Sequence, residues 1–369
     1  MEQRRYPGHN HWFYESQTSP RTSQAAPLVP EAADIDDRFL LGCVNDQLPS
    51  LLRANQPALL AARDLAQLLF PDRVVTSLTH TLTLYDRLST ALTVAQVAGV
   101  QRLCNHYSAR LNPLPGPDSS RESNNRLTQI TQYARQLAMQ PELITASAIT
   151  ALDAAGLTEP DIVTLNQLIG FVSYQARVVA GLQALQAQPV RWLPGTTPPP
   201  DAEAAGFGKP AAWRPALKPL ELRYASAEQL AAVTRSQAAL AGMQDAVWLL
   251  AHDAPVLYGW VMLRQQLSDG QPLAEATAAR ILGSRWAFQQ LSGVDALIEG
   301  ADEAEVPETQ RQIIALAAQL TRAPERFSAA HLQPLAEAGW SADALFDLIQ
   351  SVAIGNWNSR LFYALGEAQ

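Results

Sequence analysis

Residues 129–182 read QITQYARQLAMQPELITASAITALDAAGLTEPDIVTLNQLIGFVSYQARVVAGL, and residues 312–365 read QIIALAAQLTRAPERFSAAHLQPLAEAGWSADALFDLIQSVAIGNWNSRLFYAL. A constant shift of 183 residues lays the second stretch on the first without a gap. Gln129-Ile130 meets Gln312-Ile313, and Ala134, Gln136 and Leu137 meet Ala317, Gln319 and Leu320. Pro141-Glu142 meets Pro324-Glu325, Ala146 meets Ala329, and Leu152, Ala155 and Gly156 meet Leu335, Ala338 and Gly339. Leu165, Gln167, Arg177 and Leu182 meet Leu348, Gln350, Arg360 and Leu365. Fifteen of the 54 positions are identical, against roughly 3 to 5 by chance at ordinary composition. An internal repeat of this kind marks copies of one structural unit.

Within each stretch the apolar residues recur at three and four, the helical period, and no alternating strand pattern competes with it. The segment through Leu127, Ile130, Ala134 and Leu137 is one such stripe, preceded by Ser119-x-x-Glu122, which reads as a capping box. Leu51-Leu52, Leu59-Leu60, Leu65 and Leu68-Leu69 form another, punctuated by Pro49 and Pro57. The predicted fold class is all-α. The repeat extends upstream with insertions: LLRANQPALLAARDLAQLLF at 51–70 resembles LLAHDAPVLYGWVMLRQQLS at 249–268, with Pro57 opposite Pro255. Between the copies, Pro189, Pro194, Pro198, Pro199, Pro200, Pro210 and Pro215 forbid a continuous helix. The expected organisation is an N-terminal extension over 1–45, a first module over 46–186, a semi-rigid linker over 187–219 and a second module over 220–369. Two fused copies are expected to pack about a pseudo-two-fold, as a homodimer does.

The C-terminal half of each copy resembles the alkylhydroperoxidase D-like, or carboxymuconolactone decarboxylase-like, superfamily. The stretches that carry the resemblance are LDAAGLTEPDIVTLNQLIGFVSYQARVVAGL and LAEAGWSADALFDLIQSVAIGNWNSRLFYAL. Each has a Gly-ended helix, a turn opened by Ser or Thr, and a long helix carrying an Asn/Gln-x-Arg step, here Gln175-x-Arg177 and Asn358-x-Arg360. The resemblance covers roughly residues 50–185 and 245–367. It implies a tandem pair of helical modules, a homo-oligomer and peroxidase-related oxidoreductase chemistry with no cofactor. The implied substrates are small: a hydroperoxide or a thiol. Active relatives resemble thiol peroxidases built on Arg-Glu-(x11)-Cys-x-x-Cys-x-x-x-His. There a thiolate of lowered pKa attacks the peroxide and the second Cys resolves the sulfenic acid.

That motif falls on DRLSTALTVAQVAGVQRLCNHYSARL. Anchored on Arg87 and Gly99, it places Leu88 at the Glu, Val100 and Leu103 at the two Cys, and Tyr107 at the His; slid by one residue, it places Ser89 at the Glu, Gln101 and Cys104 at the two Cys, and Ser108 at the His. In the second copy Ser284 and Ala287 take the Cys positions and Leu291 the His position. Neither copy keeps the dithiol. The expected activity is therefore that of a divergent relative, a one-Cys thiol peroxidase. The alternative is a degenerate scaffold that binds a small molecule or a partner.

Composition narrows the partners. The 369 residues carry a net charge of −8 without a basic block, so no nucleic-acid partner is expected. No uninterrupted apolar run reaches about 18 residues and no apolar leader opens the chain, so a cytoplasmic protein without membrane association is expected. Two cysteines, Cys43 and Cys104, exclude a disulfide scaffold and a four-cysteine zinc site.

Cys104 stands next to the motif turn, as the candidate nucleophile or as a small core residue. His106 is its candidate base or orienter; the ordinary reading is a His bonded to backbone. Residues two apart on a helix diverge, so the pair cooperates only where the helix is interrupted. Arg87, Tyr107 and Arg121 are the candidate substrate-binding residues. Ser119, Ser120 and Arg121 offer a helix N-terminus to an anion, or simply a capped loop. Arg177 and Arg360 need partners on their apolar helix, with Glu122, Asp86 or Asp161 in view for the first. A non-redox reading would use His106 as a general base. His-x-His at His9 and His11 lacks the supporting shell of a true metal site, and no metal is expected. Cys43 reads as core.

Overall fold

The computed structural model divides into two units, Met1–Ala32 and Ala33–Gln369. It describes residues 37–43, 48–190, 197–238, 240, 243–267 and 270–367; His9 and His11 lie outside these. Among the described residues every regular element is helical. Helices α1 (Pro49–Ala54), α2 (Gln56–Leu69), α3 (Leu84–Ala98), α4 (Gln101–Leu111), α5 (Arg121–Met139), α6 (Ala146–Ala154) and α7 (Glu159–Leu185) make the first half. The second half holds α8 (Ala227–Gln237), α9 (Gln244–Leu250), α10 (Ala254–Gln266), α11 (Pro272–Leu282) and α12 (Arg285–Gln289). It ends with α13 (Glu308–Arg322), α14 (Ala329–Glu337) and α15 (Ala342–Phe362).

Local sequence explains the breaks. Gly99 (φ 69°) and Gly283 (φ 82°) end α3 and α11 in the left-handed conformation that glycine adopts without strain. Pro57 and Pro255 each sit at the second residue of their helix, where the missing N–H costs nothing. Thr83–Asp86 and Thr158–Asp161 close capping boxes on α3 and α7. The cap of α5 is Ser120, whose hydroxyl accepts from Ser123 N at 3.1 Å; the expected Ser119–Glu122 box is replaced by this single bond one residue later.

The element bounds follow the 183-residue shift. Helix α6 at Ala146–Ala154 corresponds to α14 at Ala329–Glu337, and the 3-10 turn Pro141–Leu143 to Pro324–Arg326. Helices α7 and α15 both start at the shifted position and pack on each other more extensively than any other pair. They run antiparallel, since Gly170 faces Trp357 while Gly181 faces Ile349. Their close approach makes one core continuous across both halves.

Helix α7 is long and apolar enough to cross a membrane, as is the stretch Gln244–Gln266, although no unbroken apolar run signals it. In α7, 94% of the apolar window is buried inside the protein, and in the other stretch 67%. The described part of 197–219 is more than a spacer. Ala202 N donates to Ile281 O at 3.0 Å, Phe207 meets Phe288 edge-on, and Trp213 Nε1 donates to Phe362 O at 2.9 Å. Its prolines keep it from becoming helix and leave its backbone groups free to pair with Ile281 of α11 and with Leu365 and Gly366 beyond α15.

Candidate functional site

The motif region is built on α3 and α4. Helix α4 is unbroken from Gln101 to Leu111, so Cys104 and His106 project in different directions. His106 is buried with Leu103 and Tyr107 on the inner face, whereas Cys104 is half-buried at its edge. Arg87, half-buried on α3, donates to Leu69 O at 3.0 Å. Burial lowers its pKa, against the attraction of Asp253, Asp161 and Asp86. Arg121 is exposed at the start of α5. There the neighbouring Asp118 already accepts from Ser120 N at 3.0 Å. Hydrogen bonds from Ser120 and Ser123 hold its carboxyl below the usual range.

Tyr107 has a defined task. Its hydroxyl donates to Gln175 Oε1 at 2.5 Å, and its ring tilts on Phe70 with centroids 5.1 Å apart. Burial pushes its pKa far upward, which keeps the phenol a neutral donor. Gln175 in turn donates to Arg38 O and Phe39 O, both at 2.9 Å. Phe39 stacks on Tyr174, and Gln186 Nε2 donates to Cys43 O at 2.6 Å. Polar groups of α4, α7 and the residue after it thus fasten the turn 38–43, in which Phe39, Leu40, Leu41 and Cys43 are buried. The structure joins Tyr107 to Gln175. No cavity described below is lined by Cys104, His106, Arg87, Tyr107 or Arg121.

The arginines of the two Gln/Asn-x-Arg steps are also buried, and their partners are carbonyl oxygens, not the carboxylates expected. Arg177 donates from Nη1 to Ser173 O at 2.9 Å and from Nη2 to Thr321 O at 2.8 Å. Arg360 donates from Nη1 to Asn356 O at 3.1 Å and from Nη2 to Ala138 O at 2.8 Å. Ser173 and Asn356 are equivalent under the shift, as are Ala138 and Thr321. Each guanidinium therefore reaches into the other half and satisfies a last-turn carbonyl of α5 or α13, where the helix dipole favours a cation. Asp161, a candidate partner, instead accepts from Thr81 N at 2.6 Å and Thr158 N at 3.0 Å. Asp86 faces Arg126 at 3.7 Å.

These arginines line a cavity of about 330 Å³ between the halves. Its walls come from α3 and α11 (Val94, Val97, Ala98, Ile281, Leu282), the ends of α5 and α13, and Pro198–Pro200. Arg177 Nε has no hydrogen-bond partner, although the residue is only 3% exposed. Burial and the nearby Arg360 charge drive the Arg177 pKa down, opposed by Glu325. Burial does the same to Arg360.

A second cavity, about 50 Å³, lies in the second half. Ala287 and Leu291, aligned with the second Cys and the His of the motif, line it with Asn358, Ser359, Arg264 and Glu275. Burial pushes the Glu275 carboxyl up to about 7, against the pull of Arg264. Asn358 Oδ1 has no partner. Sequence reading missed Glu275, because it stands three residues past the position aligned with the motif Glu; only the convergence of α11, α12 and α15 reveals it. Among the described residues no group of three or more His, Cys, Asp or Glu is placed to hold a metal ion.

No protein-family model matches the chain, and no curated protein matches it.

Proposed function

We propose that this chain is a divergent two-module relative of the alkylhydroperoxidase D-like superfamily that binds a small molecule and has lost the dithiol cycle. The observation that carries the reading is the cavity of about 330 Å³ to which both halves contribute equivalent arginines. Its size is at the lower end of small-ligand sites, about 300–1,000 Å³. The family side of the proposal draws support from the recurring element bounds and from the paired arginine bonds. The loss of the cycle draws support from Val100, Leu103, Ser284 and Ala287 at the dithiol positions. Tyr107, at the position of the motif His, is committed to Gln175.

A second reading keeps oxidoreductase chemistry at Cys104, which is partly exposed. Its thiolate would attack the peroxide O–O bond, releasing an alkoxide that takes up a proton and leaving a sulfenic acid. Two equivalents of an external thiol would then return the thiol, releasing water and a disulfide. His106 would orient or activate the thiol, and Arg87 or Arg121 would steady the anionic oxygen.

Organic hydroperoxide consumption with a thiol reductant separates the two. The binding reading expects no turnover above buffer for wild type and for Cys104→Ala. Turnover that vanishes in Cys104→Ala and falls in His106→Ala would replace it with the one-Cys peroxidase.

A further inference from the structure

Two buried cations line the same cavity between the halves. Arg177 and Arg360 are 3% and 2% exposed, and the acceptors of Arg177 and all but one of those of Arg360 are neutral backbone carbonyls. The exception is the neutral amide oxygen Asn356 Oδ1, at 2.9 Å from Arg360 Nη1. A buried charge without a counter-charge is costly. The remaining charged groups of the wall do not cancel the pair. Arg322 is itself a cation, held by Asp201 at 2.5 Å and Asp302 at 2.9 Å. Arg135 is another cation, on the exposed face of α5. Glu325, the one carboxylate of the wall, faces Arg326 at 3.6 Å and also attracts Arg177, one negative charge against the four arginines of the wall. The cavity is thus electropositive, with Arg177 and Arg360 both in its wall.

The rest of the wall is apolar: Val94, Val97, Ala98, Ile281, Leu282 and the three prolines 198–200. An inorganic anion would leave that surface bare, and a neutral apolar molecule would leave the positive charge of the wall without a counter-charge. We propose that the cavity takes a small organic carboxylate, its carboxylate on Arg177 and its apolar body between α3, α11 and the Pro198–Pro200 strap. A carboxylate matches the planar donor geometry of arginine. This deepens the binding reading of the previous subsection and rests on it.

The test is calorimetric titration of the full chain with benzoate, with benzamide as the neutral isostere and inorganic phosphate as the apolar-free anion. Saturable benzoate binding is expected, with benzamide and phosphate at least about tenfold weaker. Arg177→Gln should weaken benzoate by about tenfold or more. Arg177 is buried, so a variant that fails to fold is covered by Met139→Trp. Met139 lines the cavity, is 40% exposed and makes none of the arginine bonds. The tryptophan should obstruct the cavity and lower benzoate affinity while leaving the helical circular dichroism unchanged. No benzoate binding, equal binding of benzamide, tighter binding of phosphate, or benzoate binding unaffected by Met139→Trp would each overturn the proposal. The failure of the parent reading is distinct, since it would appear as Cys104-dependent hydroperoxide turnover whatever the benzoate result.

Discussion

The indole of Trp357 lies against Gly170: a Cβ on that glycine would fall 2.0 Å from Trp357 Cδ1. One turn away, Trp357 Nε1 donates to Gln167 Oε1 at 3.0 Å. Tryptophan needs both an apolar bed and an acceptor when buried, and here α7 supplies both. The contact sets how closely α7 and α15 approach, and it lies at the centre of the core shared by the two halves. Gly170→Ala therefore forces a bulky, well-packed ring to move. Overpacking of this kind costs about 1–3 kcal/mol, so thermal unfolding followed by tryptophan fluorescence should show a Tm lower by several degrees. An unchanged Tm would mean that the two helices do not meet this closely.

The hydroxyl bond of Tyr107 to Gln175 serves the turn at 38–43. Tyr107→Phe removes the donor and leaves Gln175 Oε1 buried without it, a loss of about 1–3 kcal/mol. Gln175→Leu removes the bonds to Arg38 O and Phe39 O as well. Both variants should speed amide hydrogen exchange in residues 38–43 more than in α7. Equal exchange in wild type and variants would show that the Tyr107–Gln175 pair does not hold the turn.

Glu275 makes stability depend on pH. Its carboxyl titrates at about 7 in the folded protein, against about 4.3 for an unperturbed Glu. Below about pH 4 both states are protonated and the group costs nothing. Between about 4.3 and 7 the folded state keeps a proton that the unfolded state has lost, so stability falls as pH rises; above 7 the full cost applies. Glu275→Gln should remove this slope, leaving a protein more stable than wild type at pH 8 by on the order of 3–4 kcal/mol and equal to it near pH 4. Burial raises Glu367 as well, a shift of the same sign, so the difference between wild type and Glu275→Gln isolates the first group. Urea unfolding at a series of pH values checks this, and parallel curves for the two proteins would refute it.

The helical class was legible because apolar spacing and capping residues are local. The partners of Arg177 and Arg360 were not. A carboxylate has a letter in the sequence, whereas a last-turn carbonyl belongs to every helix and only tertiary placement selects it. The same holds for the segment 197–219, whose prolines signal that it is not helix but not that Ala202 and Trp213 bind α11 and α15. Capping of α5 moved from Ser119 to Ser120 because adjacent serines offer the same chemistry one residue apart. Glu275 was missed for a different reason: its surroundings come from three helices, and no motif spacing marks it.

The two crossing arginines should differ in what they contribute, despite their equivalent positions. Arg360 uses all three of its nitrogens: Nε and Nη2 on Ala138 O, and Nη1 on both Asn356 O and Asn356 Oδ1. Arg177 makes two bonds and leaves Nε unused. Replacing a buried charge with an apolar side chain is often neutral when its partners are removed too. Here the partners are backbone carbonyls, which stay and are left unsatisfied at the end of a helix. Arg360→Met should therefore destabilise the protein, by about 2–4 kcal/mol if each strong bond carries the usual charged contribution. Arg177→Met should cost less, since fewer bonds are lost and a desolvated charge beside Arg360 is relieved. Removing Arg177 should also relieve the repulsion on Arg360, so the double variant should unfold more easily than Arg177→Met by more than the Arg360→Met cost alone. Urea unfolding of the two single variants and the double variant measures this coupling. Equal single costs and simple additivity would mean that the two guanidinium groups do not share one cavity.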